Sequence, residues 1–452
     1  MPGRLEFAFG FSNIKAPGPR SINGPMRLLL MGDFSGRVNR GIDPHDGTLA
    51  ARPIPVVDVD NFEQVMSRLS PRLRLQFEEV ELDLEFNELD AFHPDRLYQR
   101  LDLFQSLRQL RARLADDKTF AETAAQLQPL TGKDAAAATE PPENDESMFG
   151  RLLGKQTQAQ DPEERGRIGG IEHFIRHVVE PHIVPTAGEN QAIYIRSVDD
   201  AISTQMRRLL HHPAFQALES LWRSLYRLVT GLETGETLRL YLLDVTKQEL
   251  QADIAGAADD LQQSGLYRRL VEQGVRTPGG ESWSVLAGDY SFSATSEDID
   301  LLAGLGAIAA HAGGPFLATA SAALLGCDDY PQCATPEAWA PMDEPCRQHW
   351  QALRDSPLAA WIGLAMPRLL LRLPYGTDMD EVDSFAFEEM PVLPGEHEAL
   401  LWGSPAYACA LLLAAGFQQH GWSAQPGDVL DLEDLPVIVF NEAGERQMLP
   451  CA

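Results

Sequence analysis

Apolar and polar residues alternate along the first residues of the chain. Residues 4–11 place every large apolar side chain on one side, which predicts a β-strand with one apolar face. The four apolar positions are Leu5, Phe7, Phe9 and Phe11. A stretch rich in proline and glycine, residues 16–25, separates this strand from the rest of the chain. Because a single strand is not stable alone, it needs a sheet edge, either in its own domain or in a neighbouring subunit.

Three further patterns predict a small α/β unit over residues 26–125. Residues 26–31 are apolar apart from Arg27, which predicts a central strand. Residues 80–86 alternate between apolar and acidic side chains, which predicts a half-exposed strand. Leucines and a phenylalanine recur at helical spacing over residues 97–114, and arginines occupy the opposite face.

The composition changes over residues 128–167, which are rich in alanine, proline, glutamine and acidic residues. This composition predicts a flexible linker. Within it lies a short apolar segment, whose large side chains are Met148, Phe149, Leu152 and Leu153. Such a segment is either a docking peptide for a partner or incidental. The sequence thus predicts a domain over residues 1–127, a linker over 128–167 and a larger domain over 168–452.

The larger domain shows a mixed order of predicted helices and strands. Residues 203–229 are predicted to be helical with a break at Pro213, because proline cannot continue a helix. Residues 238–245 predict a strand, and residues 247–263 predict a helix. The predicted fold class is therefore α/β of the mixed α+β kind, with two units joined by the linker.

Two stretches further along need separate interpretation. A strand near residues 284–286 is predicted to end in a loop at Gly288-Asp289-Tyr290. Residues 301–327 carry no Asp, Glu, Lys or Arg and have the length of a membrane span. The Gly-Gly-Pro at residues 313–315 interrupts the run, so we expect a buried helix, a turn and a short strand instead.

The charge balance limits the partners of this 452-residue chain. Its 66 acidic residues outnumber its 37 basic residues and give a net charge of −29. Such a field repels nucleic acid and anionic membranes and favours a basic partner. The 5 cysteines are odd in number and lie in the second half, which indicates a reducing compartment. The chain begins without the apolar segment of a secretory signal, so we expect it to be cytoplasmic.

The candidate ligand residues do not form a recognised metal site or catalytic site. His211 and His212 are adjacent, and adjacent helical residues do not face one site. His173 and His177 are spaced to share a helix face, so a metal site there stays an alternative, although Pro181 ends the helix before His182. The cysteines at 327, 333 and 346 lack a zinc-binding spacing.

Two glycine-aspartate segments follow predicted strands, at residues 32–36 and 288–292. Neither has the spacing of a phosphate-binding loop. The sequence also lacks the common hydrolase, metalloprotease and kinase motifs. We therefore predict no catalytic residue, no cofactor and no metal.

Three segments of the first domain occur in a fixed order. They are M-R-L-L-L-M-G-D-F-S-G-R at residues 26–37, R-P-I-P-V-V-D-V-D-N-F at 52–62 and F-N-E-L-D-A-F-H-P-D at 86–95. In this order and spacing they resemble the small sheath subunit of bacterial type VI secretion systems, TssB or VipA.

A second set of segments resembles the large sheath subunit, TssC or VipB. The most distinctive is L-H-H-P-A-F-Q-A-L-E at residues 210–219, followed by L-W-R at 221–223. The others are G-D-Y-S-F at 288–292, G-P-F at 314–316, P-R-L-L-L-R-L-P-Y-G at 367–376 and L-W-G-S-P-A-Y at 401–407. Together the two resemblances cover about four-fifths of the chain.

The resemblance implies a structural role without catalysis. The two sheath subunits form a heterodimer that polymerises around an inner tube, and contraction of the sheath drives that tube out of the cell. Neighbouring subunits are joined by donated strands, and residues 4–11 stand where the small subunit's donated strand would be. The implied partners are other copies of the chain or sheath subunits, together with the baseplate, the inner tube and the disassembly ATPase.

Two departures from the family bear on the role. Fusion of the two subunits fixes their stoichiometry at one to one, within the reach of the linker. The large-subunit resemblance also stops early, because the family continues for on the order of a hundred residues beyond this point. We therefore expect either a repeating sheath unit or an end piece that caps or initiates the sheath. An accessory adaptor or regulator that does not polymerise is the alternative.

Overall fold

The computed structural model describes residues 24–77, 80–127, 179, 191–257, 260–377, 379–392, 396–442 and 445–448. The described residues fall into two compact units. Unit 1 takes those within Met1–Arg72, Ala217–Leu373 and Glu396–Ala452, and unit 2 takes those within Leu73–Gln216 and Pro374–Gly395. The strand predicted at residues 4–11 and the linker predicted at 128–167 lie outside the described residues.

The secondary structure of the described residues follows a mixed α/β order. The strands are β1 (Met26–Gly32), β2 (Val56–Val57), β3 (Arg72–Phe77), β4 (Val80–Glu85), β5 (Leu238–Asp244), β6 (Val285–Phe292), β7 (Phe316–Ala320), β8 (Ile362–Ala365), β9 (Leu369–Leu370), β10 (Trp402–Gly403), β11 (Val439–Glu442) and β12 (Glu445–Met448). The helices are α1 (Phe62–Leu69), α2 (Pro94–Arg100), α3 (Asp102–Ala115), α4 (Phe120–Leu127), α5 (Gln191–Leu210), α6 (Pro213–Gly231), α7 (Lys247–Ala257), α8 (Gly265–Tyr267, continued by a π-helical stretch Arg268–Val275), α9 (Ser296–Ala312), α10 (Tyr330–Cys333), α11 (Glu344–Asp355) and α12 (Pro405–His420).

Unit 1 is built on a six-stranded sheet with the order β2-β5-β1-β6-β7-β8. β1 pairs in parallel with β5 and β6, and β7 pairs in parallel with β6 and β8. Only the short β2 runs antiparallel, against β5. Parallel strands are usually covered by helices on both faces, which explains the apolar runs in β1 and β5.

The strand predicted at residues 26–31 is β1, and it lies in the interior of this sheet. Leu28 pairs with Leu240 on one side and with Val285 on the other. Residues 28–31 are completely buried, as expected for a strand with helices on both faces. Unit 1 therefore combines strands from both of the ranges predicted as separate domains.

The two faces of the sheet bury different helices. One face carries an apolar cluster built from α7, α8, α9 and side chains of the sheet such as Leu29 and Met31. On the other face α12 contacts β1, β6, β7 and β8, and it contributes no residue to that cluster. The core of unit 1 thus consists of two apolar layers separated by the sheet.

Several predicted elements are found at the expected places. The helix break at Pro213 separates α5 from α6, and the uncharged run forms the end of α9, a turn at Gly313 and β7. No helix in the described part of the chain has both the length and the apolar character needed to cross a membrane.

Three element predictions are corrected. β6 does not end before Gly288 but continues to Phe292, because a register shift between Ala287 and Ser291 accommodates the glycine within the strand. The helix predicted over residues 97–114 is interrupted at Leu101, whose backbone is extended with ψ 131. The helix predicted to reach residue 263 ends at Ala257, and a separate 3-10 turn follows at Leu261–Gln263.

Unit 2 consists of the hairpin β3–β4, helices α2 to α5 and residues 374–392. The alternating pattern predicted for residues 80–86 is observed in β4, whose apolar side chains are buried. Phe86 stacks on Phe92 with ring centroids 4.1 Å apart, and Phe215 packs edge-on against both rings. Aromatic contacts of this kind stabilise a core beyond the area they bury.

Candidate functional site

The predicted interface residues lie outside the described part of the chain. These are the strand residues Leu5, Phe7, Phe9 and Phe11 and the docking-segment residues Met148, Phe149, Leu152 and Leu153. The described residues instead present two polar clusters in unit 1, both built from segments that the sequence analysis singled out. The same residues also present sheet edges at which a strand could be added.

The first polar cluster lies where β1 and β5 end. Beyond β1, the backbone N–H of Ser35 donates to Oδ1 of Asp244 at 3.0 Å and its hydroxyl donates to Oδ2 at 2.8 Å. The guanidinium of Arg40 donates to the Ser35 hydroxyl at 2.9 Å. Burial raises the pKa of Asp244, although the hydrogen bonds from Ser35 oppose the shift.

Asp33 turns the chain immediately after β1. Its Oδ1 accepts from the N–H of Arg37 at 2.5 Å and its Oδ2 accepts from the N–H of Val38 at 3.0 Å. Burial raises the pKa of Asp33 against the effect of these two hydrogen bonds. Gly36 has φ 74, a conformation that favours glycine. The segment G-D-F-S-G-R thus forms a tight turn whose polar groups bond to one another.

Glu249 holds two arginines of the same cluster. Its Oε1 accepts from Nη2 of Arg37 at 2.7 Å and from Nη2 of Arg52 at 2.5 Å, and its Oε2 accepts from Nη1 of Arg52 at 3.0 Å. Burial alone would raise the pKa of Glu249, but the hydrogen bonds from Arg52 and Arg37 outweigh it and lower the pKa. The carboxylate therefore remains charged at neutral pH and fixes both arginines.

A capping box at the start of α7 positions this carboxylate. The N–H of Glu249 donates to the hydroxyl of Thr246 at 3.0 Å, and the N–H of Thr246 donates to Oε2 of Glu249 at 2.8 Å. The sequence Thr-Lys-Gln-Glu at residues 246–249 has the spacing of this motif. The arrangement ties the loop of residues 33–52 to the sheet, which is a structural function.

Polar groups of β6 and of α12 with its preceding loop anchor to the same end of the sheet. The Tyr290 hydroxyl donates to the carbonyl of Val245 at 2.7 Å, and the Tyr407 hydroxyl donates to the carbonyl of Met31 at 3.1 Å. Burial raises the pKa of Asp289 to about 6, while a hydrogen bond with Ser404 acts in the opposite direction. The segments predicted to resemble the large subunit at residues 288–292 and 401–407 thus pack against β1 and β5.

The second polar cluster centres on Glu219, which is completely buried in α6. Its Oε1 accepts from Nε of Arg223 at 2.7 Å and from Nε of Arg372 at 2.9 Å. The neighbouring Ser220 donates to the carbonyl of Trp402 at 2.6 Å. Three segments of the large-subunit resemblance therefore meet at this point.

The histidine pair lies at the turn between α5 and α6 rather than on a helix face. Nδ1 of His212 accepts from the N–H of Ala214 at 3.2 Å, and burial lowers the pKa of His212. Nε2 of His211 lies 3.5 Å from Oε1 of Glu389. Within the described residues, no group of three or more His, Cys, Asp or Glu side chains is arranged to hold a metal. Residues 173, 177 and 182 lie outside those residues.

Several strands of the described residues lie at the edge of a sheet, and β8 and the hairpin β11–β12 are among them. β8 ends the order of the six-stranded sheet, so among the described strands it pairs only with β7. Its residues are apolar and partly exposed. The hairpin β11–β12 pairs only within itself among those strands. Such edges are the usual acceptors of a strand from another segment or chain.

Sequence reasoning missed the charged residues that form the two clusters. Arg37, Arg52 and Glu249 lie in or beside segments quoted for the resemblance or in predicted helices, but none was proposed as a contact. Asp33 and Asp244 lie at the carboxyl ends of predicted strands. Because those ends meet at one edge of a parallel sheet, their positions indicate that the two residues lie near each other. The partners themselves are distant in sequence and leave no local pattern.

Comparison with known proteins gives matches in both halves of the chain. Residues 192–451 match the VipB family, described as the tail sheath N-terminal domain. Residues 19–131 match the VipA family of the type VI secretion system. The type VI secretion system sheath protein TssC1 of Pseudomonas aeruginosa is 34% identical over 289 residues, covering 62% of this chain and 57% of that protein. The chain therefore spans little more than half the length of this relative.

Proposed function

Because the chain belongs to the VipB tail sheath family, with a VipA match preceding the VipB match, we propose that it is a non-catalytic structural component of a type VI secretion system. In this proposal the chain forms the contractile sheath, or caps or initiates it. The observation that carries the proposal is the presence of both family matches, in this order, within one polypeptide.

The proposed organisation follows the two matches along the sequence. Residues 1–127 form the small-subunit-like part, residues 128–167 the linker, and residues 168–452 the large-subunit-like part. The matched ranges 19–131 and 192–451 support this division of the sequence. Pairing of β1 with β5 and β6 adds a reason for fusion, because strands from both parts form one sheet. A single chain keeps such strands at a high effective concentration.

Strand exchange is the proposed means of assembly. Residues 4–11 would be donated to a sheet edge of a neighbouring subunit, and the edges of β8 and of the hairpin β11–β12 are candidate acceptors. Donation from one subunit to the next, without reciprocity, produces an open helical polymer when the rotation between subunits does not close into a ring. The support for this step is the alternating pattern of the segment and the availability of these edges.

The proposed partners follow from the same role. They are further copies of the chain or separate sheath subunits, with the baseplate, inner tube and disassembly ATPase as additional candidates. The net charge of −29 favours a basic surface on at least one of them. We place the protein in the cytoplasm, and we assign it no cofactor.

Electron microscopy of negatively stained, purified protein tests the proposal. A repeating sheath unit should form tubules, either alone or after addition of separate sheath subunits. Discrete particles that attach to the ends of tubules would indicate a cap or initiator. Particles that bind sheath subunits and release them at high salt, without attaching to tubules, would favour the adaptor alternative. Protein that neither polymerises nor binds sheath subunits would contradict the proposed function.

A further inference from the structure

Unit 1 contains an apolar groove at the amino-terminal ends of its parallel strands. The groove encloses about 620 Å³, and its walls are mainly apolar. One wall comes from α12, a second from the segment that follows α12, and the floor from the first residues of β1, β6 and β7. Representative lining residues are Met26, Leu317, Cys409, Leu413, Trp422 and Leu430.

The groove has room for several apolar side chains and is partly open to solvent. Its volume lies in the range of pockets that bind small ligands or side chains. Leu430 at the groove is 74% exposed, although leucine is a residue that folding normally buries. An open apolar groove of this size is typical of a surface that binds an apolar segment.

The chain itself enters unit 1 beside this groove. Nε1 of Trp422 donates to the carbonyl of Gly24 at 2.8 Å, which fixes Gly24 against the segment that forms one wall. Two residues later, Met26 begins β1 and lines the groove. The first described residues of the chain, Gly24 to Met26, therefore lie at the groove.

We propose that the groove is the docking site for residues 4–11 of the same chain. These residues carry Leu5, Phe7, Phe9 and Phe11 on one face, and apolar walls suit such a face. The 12 residues from Ser12 to Asn23 span at most roughly 40 Å when extended, which allows the chain to fold back. Pro17, Gly18 and Pro19 within this stretch permit the necessary turn.

Attachment in the same chain favours this occupant over a second copy. A linker of about a dozen residues gives an effective concentration in the millimolar range, well above the working concentration of a purified protein. A segment from another subunit would have to displace one that begins at the wall of the groove. The proposal therefore commits to docking within one chain before assembly.

This inference rests on the proposed strand donation, because it says where the donated segment lies in a subunit that has not assembled. Docking in the groove would keep the apolar face from pairing with other chains too early. Incorporation into a sheath would then exchange the groove for a neighbour's sheet edge. The groove thus regulates assembly through competition between two sites for one segment.

Disulfide trapping tests the proposal, because Cys409 already lines the groove. In full-length protein with the four other cysteines replaced by serine, residues 5, 7, 9 and 11 would be changed to cysteine one at a time. Positions 6, 8 and 10 serve as matched controls, since they lie on the opposite face of a strand. Oxidation is followed at pH 8.5, because burial raises the pKa of the Cys409 thiol.

A disulfide needs Cβ atoms about 3.5 to 4.5 Å apart, so only residues that enter the groove should react. We expect at least one of Leu5→Cys, Phe7→Cys, Phe9→Cys and Phe11→Cys to form a disulfide within one chain about tenfold faster than the controls. Peptide mass spectrometry identifies the bond, and gel filtration before oxidation isolates single subunits. A Cys409→Ser change should abolish the product.

Equal rates on both faces of the strand would overturn the proposal. So would a disulfide found only between chains, which would make a second copy the occupant. Tubule formation by the unmodified protein is a separate measurement. Trapping in a protein that neither forms tubules nor binds sheath subunits would keep the groove and reject the sheath role, whereas tubules without trapping would do the reverse.

Discussion

Glu219 and Arg372 belong to different segments of the chain but share a hydrogen bond of 2.9 Å between Oε1 of Glu219 and Nε of Arg372. Both side chains are buried, at 0% and 6% exposure. Arg223, one turn after Glu219, donates to the same oxygen. The pair joins α6 to the strand region around β9, so it connects two of the segments that resemble the large sheath subunit.

Replacement of Glu219 by Gln should strongly destabilise unit 1. The change removes the negative charge while Arg372 stays buried. Loss of one partner of a buried ion pair lowers the free energy of unfolding by about 3 to 5 kcal/mol. Urea unfolding followed by tryptophan fluorescence measures the loss, since Trp222 lies three residues further along α6.

An exposed ion pair provides the matched control for Glu219. Arg111 and Asp199 are 44% and 39% exposed and are joined at 2.5 Å. Asp199→Asn should lower the free energy of unfolding by less than about 1 kcal/mol, because water screens an exposed pair. Equal losses in the two variants would contradict the structural role given to Glu219.

The pH dependence of stability should carry a contribution from Asp289. Its pKa rises from 3.8 to about 6 on folding, so the folded protein binds this proton more tightly than the unfolded chain does. The contribution of Asp289 to the free energy of unfolding is therefore fully present below pH 3.8 and is lost as the pH rises to about 6. Above that pH the contribution no longer changes.

Asp289→Asn isolates this effect, because asparagine does not titrate. The difference in melting temperature between the variant and the unmodified protein should shift in favour of the variant as the pH rises from 4 to 7. Thermal unfolding monitored by circular dichroism at several pH values gives the difference. A difference that stays constant with pH would show that the pKa of Asp289 is not raised.

Local sequence pattern predicted the elements well where the pattern was strong. β1 follows from a run that is apolar apart from Arg27, β4 follows from strict alternation, and the end of α9 with β7 follows from Gly-Gly-Pro. The wrong predictions occur where the structure favoured by the local sequence differs from the one that the tertiary contacts impose. The glycine and aspartate at residues 288–289 indicate a loop, but β6 pairs with β1 as far as Gly288 and resumes pairing with β7 at Ser291, so the strand continues through a bulge.

The local sequence pattern does not predict which strands pair or which charged side chains contact each other. The apolar run of β1 indicates burial but carries no information on which strands lie beside it. Likewise, Arg52 is one arginine among many until β5 and α7 bring Asp244 and Glu249 to it. Among the polar positions, a usable local signal exists for those that directly follow a strand, such as Asp33, and for the capping-box residues Thr246 and Glu249.

Gly314→Ala should destabilise unit 1, because the added carbon meets backbone rather than side chains. It would lie 2.4 Å from the carbonyl carbon of Ser284 and 2.8 Å from the nitrogen of Val285, at the start of β6. To relieve this steric clash, β6 and the turn before β7 must move apart. The movement should lower the free energy of unfolding by about 1 to 3 kcal/mol or more. Urea unfolding measures the loss.

Gly256→Ala is the control for that change. Gly256 is an exposed helical residue of α7 with open space where a side chain would be added. Alanine there should raise the free energy of unfolding by up to about 1 kcal/mol, because it favours the helix. The two glycine variants should thus change stability in opposite directions, and a loss in both would refute the backbone explanation.

The double change Phe7→Asp and Phe9→Asp should abolish self-association if residues 4–11 are donated to a neighbour. Two charges on the apolar face cannot be buried against a sheet without a large desolvation cost. Ala8→Asp places a charge on the opposite face of the strand and should leave assembly largely intact. Sedimentation velocity measures the oligomer size of all three proteins, and an unchanged size in the double variant would reject strand donation by this segment.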